Sequence, residues 1–205
     1  MNALQRKEAH MEQIITIRDA DLTYQARNGE VEALRGVTFS VAEGEFVSIV
    51  GPSGCGKSTL LGVLAGLETL DGGTAALRGS AISGPNRLVG FMPQRDQLFE
   101  WRTIRDNVML GLELRRDRDP VHRRHAEALL ARYGLAEFAD KRPDQLSGGM
   151  RQRCALIRTL ATGPDILLLD EPFSALDYQT RLAVSGDIWR IIRGEGKTAL
   201  LVTHD

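Results

Sequence analysis

The sequence predicts an α/β fold with a helical insertion around residues 100–150. Three observations carry this. An apolar, β-rich run, Phe46–Val50, leads straight into a glycine-rich loop and then a helical pattern. Residues 166–169 and 198–202 are short continuous apolar runs, as in buried parallel strands, with a helical stretch from about Tyr178 to Ile192 between them. From about Thr103 to Tyr133 the apolar spacing turns helical.

The remaining elements follow in order. Residues 14–17 and 37–41 read as short strands around a polar turn containing Asn28-Gly29. After the Phe46–Val50 strand a helix is expected from Lys57 to about Leu67. Residues 74–77 and 88–92 are further strand candidates. The helical stretch is interrupted by Arg115-Arg116-Asp117-Arg118-Asp119-Pro120, which reads as a solvated loop. Ser147 is a good N-cap, and the helix from about Gly149 to Ala161 is stopped by Gly163-Pro164. No internal repeat or low-complexity linker is present.

Composition narrows the function classes. The chain has 205 residues, 42% hydrophobic and 26% charged, an ordinary balance for a globular protein able to bury a substantial core. No apolar run approaches the 18 residues that would span a bilayer. Residues 1–13 are polar and of mixed charge, unlike a signal peptide. A formal net charge of −1 gives no support for general nucleic-acid binding. Two cysteines in unrelated settings, Cys55 and Cys154, make neither a disulfide framework nor a metal site. A reducing cytosol is the simplest compartment.

Three motifs carry chemistry. Gly51-Pro52-Ser53-Gly54-Cys55-Gly56-Lys57-Ser58 matches GxxxxGK[ST]. In such a loop backbone N–H groups surround a β-phosphate, the lysine reaches the β- and γ-phosphates, and the serine hydroxyl ligates Mg²⁺. Cys55 sits among converging N–H dipoles that favour a thiolate, or is simply a small spacer. Leu146-Ser147-Gly148-Gly149-Met150-Arg151-Gln152-Arg153 sets a capped helix N-terminus behind two glycines. Its free N–H groups and positive dipole suit an anion such as a γ-phosphate, although capped helices are far commoner than phosphate sites. Leu168-Leu169-Asp170-Glu171 ends a buried strand in two acids; Asp170 would hold Mg²⁺ directly or through water.

The order loop, LSGGM segment, LLDE run resembles the nucleotide-binding subunit of ATP-binding cassette (ABC) transporters, from about Ile14 to Asp205. That resemblance implies a P-loop NTPase core of ABC type, with an antiparallel β subdomain near the N-terminus that periodicity alone does not reveal. The whole chain would be one ATPase domain with a helical subdomain at about 100–150. It further implies Glu171 as general base, Thr59 at the α-phosphate, Tyr24 stacked on adenine, and Gln94 reaching the metal from a loop that faces a membrane partner. His204 matches the switch histidine that contacts the γ-phosphate. Asp177, in Ser174-Ala175-Leu176-Asp177, matches the loop carrying contacts across a dimer; alone it reads as an N-cap. The expected cofactors are ATP and Mg²⁺. The expected partners are a second copy on ATP binding, transmembrane permease subunits and, indirectly, a periplasmic or lipid-anchored solute-binding protein. The expected location is peripheral, at the cytoplasmic face of the membrane.

Residues 94–108, QRDQLFEWRTIRDNV, resemble the importers of nitrate, sulfonate, taurine and thiamine precursors. Those proteins usually have proline before the tryptophan, where this chain has Glu100. Trp101 either packs the helical subdomain or contacts a permease helix. The alternative is an ABC-type ATPase acting on nucleic acid or ribosomes. Such proteins usually add a coiled-coil arm, zinc-binding cysteines or tandem cassettes, and the 90 positions from Lys57 to Ser147 leave no room for a long arm. The chain stops just after His204 where family members continue, so it looks like a truncated gene, a partial sequence or a fragment whose sheet would be incompletely covered.

Overall fold

A computed structural model describes residues 12–26, 29–173 and 176–204. They fall into two compact units: residues up to Arg87 with those from Lys197 onward, and Leu88–Gly196. Asn28, Ser174 and Ala175, used above, lie outside the described residues.

In the first unit, β1 (Gln13–Ala26) and β2 (Gly29–Ala42) form a long antiparallel pair. β4 (Gly72–Leu77) adds to the other edge of β1, and β5 (Ser80–Ala81) to β4, giving the order β2-β1-β4-β5. These strands are much longer than the 14–17 and 37–41 runs expected. The reason is that β1 slips register against β2 four times, which scrambles the period-two pattern. At one slip Asp19 takes φ 46, and its N–H donates to Thr38 Oγ1 at 2.8 Å. Asp21 Oδ1 accepts the Gly36 N–H at 2.6 Å. Polar residues therefore sit inside the strands because they pair the backbone groups that the bulges leave unmatched. Ile15, Ile17, Ala20 and Leu22 supply the buried face.

The same unit holds a parallel pair, β3 (Phe46–Val50) with β8 (Thr198–Thr203), from Phe46 opposite Ala199 to Val50 opposite Thr203. Helix α1 (Lys57–Leu64) follows β3 and stops three residues earlier than expected. The Gly66 N–H donates to Val63 O at 3.0 Å and the Leu67 N–H to Gly62 O at 2.9 Å. With Gly66 at φ 72, this is the Schellman ending, closed by a glycine in the left-handed region.

The second unit begins with β6 (Val89–Met92), parallel to β7 (Ile166–Asp170), every residue of which is buried. Four helices follow the expected pattern: α2 (Ile104–Leu114), α3 (Pro120–Arg132), α4 (Gly148–Leu160) and α5 (Tyr178–Gly194). Each starts at a capping side chain: Thr103, Asp119, Ser147 and Asp177. Asp119 is backed by Pro120 at the first helical position, which fixes the start of α3. Ile104, Val108, Leu112, Leu129, Leu130, Leu156 and Ile157 form the core between them. The charged break is not purely solvated. Arg115 donates to Thr162 O at 2.9 Å, and the Asp117 carboxylate meets His122 Nδ1 at 2.6 Å. No helix among the described residues is long and apolar enough to cross a membrane.

Candidate functional site

The glycine loop joins β3 to α1, and its shape depends on glycine. Gly54 and Gly56 take φ 80 and φ 91, in the left-handed region. A Cβ on Gly56 would lie 2.0 Å from the Ala33 carbonyl oxygen, so no other residue fits there without moving backbone. Lys57 is 7% exposed, and its ammonium is folded into the loop, donating to Gly51 O at 2.6 Å and Pro52 O at 2.7 Å. It also lies 3.7 Å from Cys55 Sγ. A buried positive charge thus sits inside a ring of backbone at the start of a helix, which suits a polyphosphate. Pro52, Ser53, Gly54, Cys55 and Ser58 are exposed around it, with Thr59 half-buried. In the same unit Tyr24, opposite Val31, leaves 37% of its surface open, and His204 is exposed just beyond β8.

In the second unit two predicted residues come together. β6 and β7 are parallel neighbours with Met92 opposite Leu169, so both chains leave the sheet on the same edge. Ligands of open α/β sheets gather at that carboxyl edge. Gln94 emerges after β6 and Glu171 after β7, and Gln94 Nε2 donates to Glu171 Oε2 at 3.3 Å. Asp170, the last residue of β7, is 8% exposed. Glu171 holds φ 42, unusual for a residue with a side chain.

Ser147 caps α4, its Oγ accepting the Met150 N–H at 3.4 Å. The two glycines after it have a packing reason that sequence reading missed. A Cβ on Gly149 would come within 2.7 Å of Val184 Cγ2, and one on Gly148 within 3.0 Å of Leu176 Cδ2. They let α4 sit close against α5 and the turn before it. Gly148 stays exposed beside Ser147. Asp177 is exposed and accepts the Thr180 N–H at 3.0 Å. That hydrogen bond holds its carboxyl below the usual range.

Trp101 is 71% exposed, so it does not pack the helical core; its ring stacks on Phe99 at 4.8 Å. The two cysteines differ as burial dictates. Cys55 is exposed, while burial pushes the Cys154 thiol up to about 12. Folding raises that pKa, so the stability it carries is full below the ordinary value of 9.0 and drains as pH rises through about 12.

Sequence reading also missed Asn107. It is fully buried in α2, accepts the Phe99 N–H at 2.7 Å and donates to Phe99 O at 3.1 Å. An asparagine at an apolar-face position of a helix was the available signal. Among the described residues no three His, Cys, Asp or Glu side chains form a metal cluster. Ser58 in the first unit and Asp170 in the second each carry a hard oxygen donor of the kind Mg²⁺ takes, so the donor chemistry of each fits.

The profile of the ABC transporter family matches residues 34–174. An aliphatic sulfonates import ATP-binding protein of Agrobacterium fabrum is 49% identical over 174 residues, 85% of this chain and 65% of that protein. A taurine import ATP-binding protein of Ruegeria pomeroyi is 41% identical over 191 residues, 93% of this chain and 71% of that protein. The solved dimeric structure of an ATP-binding cassette in a post-hydrolysis state, bound to ADP and Pi, superposes with a TM-score of 0.79 at 33% identity, covering 93% of this chain and 88% of that one. The chain belongs to the ABC transporter family.

Proposed function

We propose that this chain binds and hydrolyses MgATP as a head-to-tail pair of copies, and that the closing and reopening of the pair drives import of a small sulfonate or taurine-like solute. Each ATP would lie between Gly51–Thr59 of one copy and Ser147–Gly149 of the other. The observation that carries this is the glycine-built loop with Lys57 buried inside it, on a chain of this family. The whole chain then acts as one ATPase domain whose helical part, about 100–150, faces permease subunits. It would work at the cytoplasmic membrane face, with a solute-binding protein supplying the permease.

The residues divide the work. The loop N–H groups and Lys57 hold the β- and γ-phosphates, Thr59 the α-phosphate, and Tyr24 offers its open ring face to adenine. Ser58, Asp170 and Gln94 would hold Mg²⁺, which when bound neutralises charge on the phosphates. Glu171, already hydrogen-bonded to Gln94, accepts the proton of the attacking water. His204 contacts the γ-phosphate, and Asp177 carries a contact across the pair. A nucleic-acid or ribosomal role has no support from the net charge of −1 or from the relatives.

Ser147→Arg tests the shared site. Hydrolysis should be abolished while one copy still binds ATP with nearly its normal affinity, because Ser147 serves the other copy's nucleotide. A large loss of affinity in the isolated monomer would place Ser147 in its own chain's site or in the fold alone. The solute class is tested by uptake. Cells lacking this chain should lose transport of labelled taurine or alkanesulfonates and recover it on complementation; undiminished uptake of both would overturn the sulfonate reading.

A further inference from the structure

The loop between β6 and α2 is clamped from two sides within the second unit. From α4, Arg151 Nε donates to Asp96 Oδ2 at 2.8 Å and Nη2 to Asp96 Oδ1 at 3.2 Å. The same Nη2 donates to Glu100 Oε1 at 2.7 Å. Two turns along the helix, Arg158 donates to the carbonyls of Gln97 at 2.7 Å and Asp96 at 2.6 Å. From α2, Asn107 holds Phe99 by both its N–H and its carbonyl. Between the clamps stands the stacked Phe99–Trp101 pair, with Trp101 open to solvent.

Arg151 is distinctive because it joins three things. Its own N–H donates to Ser147 O at 2.9 Å, so it sits on the first turn of α4, rigidly tied to the residue that heads the helix. Its guanidinium grips the beginning of the loop at Asp96 through a two-pronged, half-buried contact. Burial raises the Asp96 carboxyl, but the hydrogen bonds from Arg151 and the Leu98 N–H outweigh it and leave it below its usual range. The guanidinium also reaches the residue just before Trp101 through a single contact to Glu100, whose side chain is half exposed. That second contact is of the weak, breakable kind.

We propose that Arg151, through Asp96 and Glu100, is a positioning residue that ties the stance of the exposed Phe99–Trp101 pair to the position of the helix headed by Ser147. It rests on the reading that Ser147 meets nucleotide. A shift of the helix end on closure then moves the guanidinium and with it the loop surface offered to a membrane partner. Glu100 adds the contact nearest Trp101, so it governs how faithfully the ring follows.

The chain has two tryptophans, so Trp189→Phe leaves Trp101 as the sole reporter. Iodide quenching of Trp101 is measured with and without MgATP in a Glu171→Gln background, and ATP binding is followed separately by equilibrium dialysis. MgATP should change the quenching constant. The change should fall by roughly half in Glu100→Gln and Arg151→Lys, which keep part of the fork, and vanish in Arg151→Met, with the Kd for ATP unchanged in all three. Glu100→Gln alters an exposed side chain, so it carries the test if Arg151→Met misfolds. A full response in Glu100→Gln, or ATP binding to the parent without any Trp101 response, overturns the proposal. A flat dialysis curve for the parent is a different failure: it removes the nucleotide reading, and this proposal with it.

Discussion

Replacing Glu171 with Gln should lower ATP hydrolysis by about 10²-fold or more, while ATP should still bind. The amide keeps the size and the hydrogen-bonding outline of the carboxylate but cannot take a proton from water. Gln94 Nε2 now donates to Glu171 Oε2, and the amide oxygen of a glutamine at 171 can accept the same hydrogen bond, so local geometry should survive. Bound nucleotide should therefore persist, and the ATP-loaded pair of copies should accumulate. Steady-state phosphate release and gel filtration with MgATP measure both effects. Turnover near the parent rate would remove Glu171 from the role of base.

Gly56→Ala should cost nucleotide binding and stability together. The residue holds φ 91, and its new methyl would meet the Ala33 carbonyl oxygen at 2.0 Å. That oxygen belongs to strand β2, so backbone must move, and the move displaces Lys57 and the loop around it. Left-handed strain alone costs about 1–3 kcal/mol. Gly54→Ala is the matched control, because Gly54 has φ 80 but open space where the Cβ would go. It should lose only the strain, a melting shift of roughly 2–4 °C per kcal/mol at this chain length. Titration with ATP and thermal melts of the two variants decide the matter. If Gly56→Ala is as mild as Gly54→Ala, the contact with Ala33 does not shape the loop.

The elements around the candidate site were legible in the sequence because each depends on local chemistry. Phe46–Val50 is legible to the residue, since a β-rich, largely apolar run leading into a glycine loop has few other uses. Ser147 and Asp177 were legible as caps because a short polar side chain before a helical pattern satisfies free N–H groups. The long β1–β2 pair was not legible, because its register slips put aspartates where alternation predicts apolar residues. Nor was the grip of Arg151 on Asp96 and Glu100, which lie 55 and 51 positions away. Long-range ion pairs leave no periodic trace. Gly148 and Gly149 were legible as important but for an incomplete reason: the demand for room comes from Leu176 and Val184 as well as from any phosphate.

The left-handed backbone at Glu171 sets two kinds of fitness against each other. Glycine there would relax the chain by about 1 kcal/mol, because only a side chain makes that conformation costly. It would also delete the carboxylate. With Glu171 as the base proposed above, a hunt for heat-resistant variants would be drawn to position 171 and would collect inert proteins there, whereas selection for turnover would keep the strained glutamate.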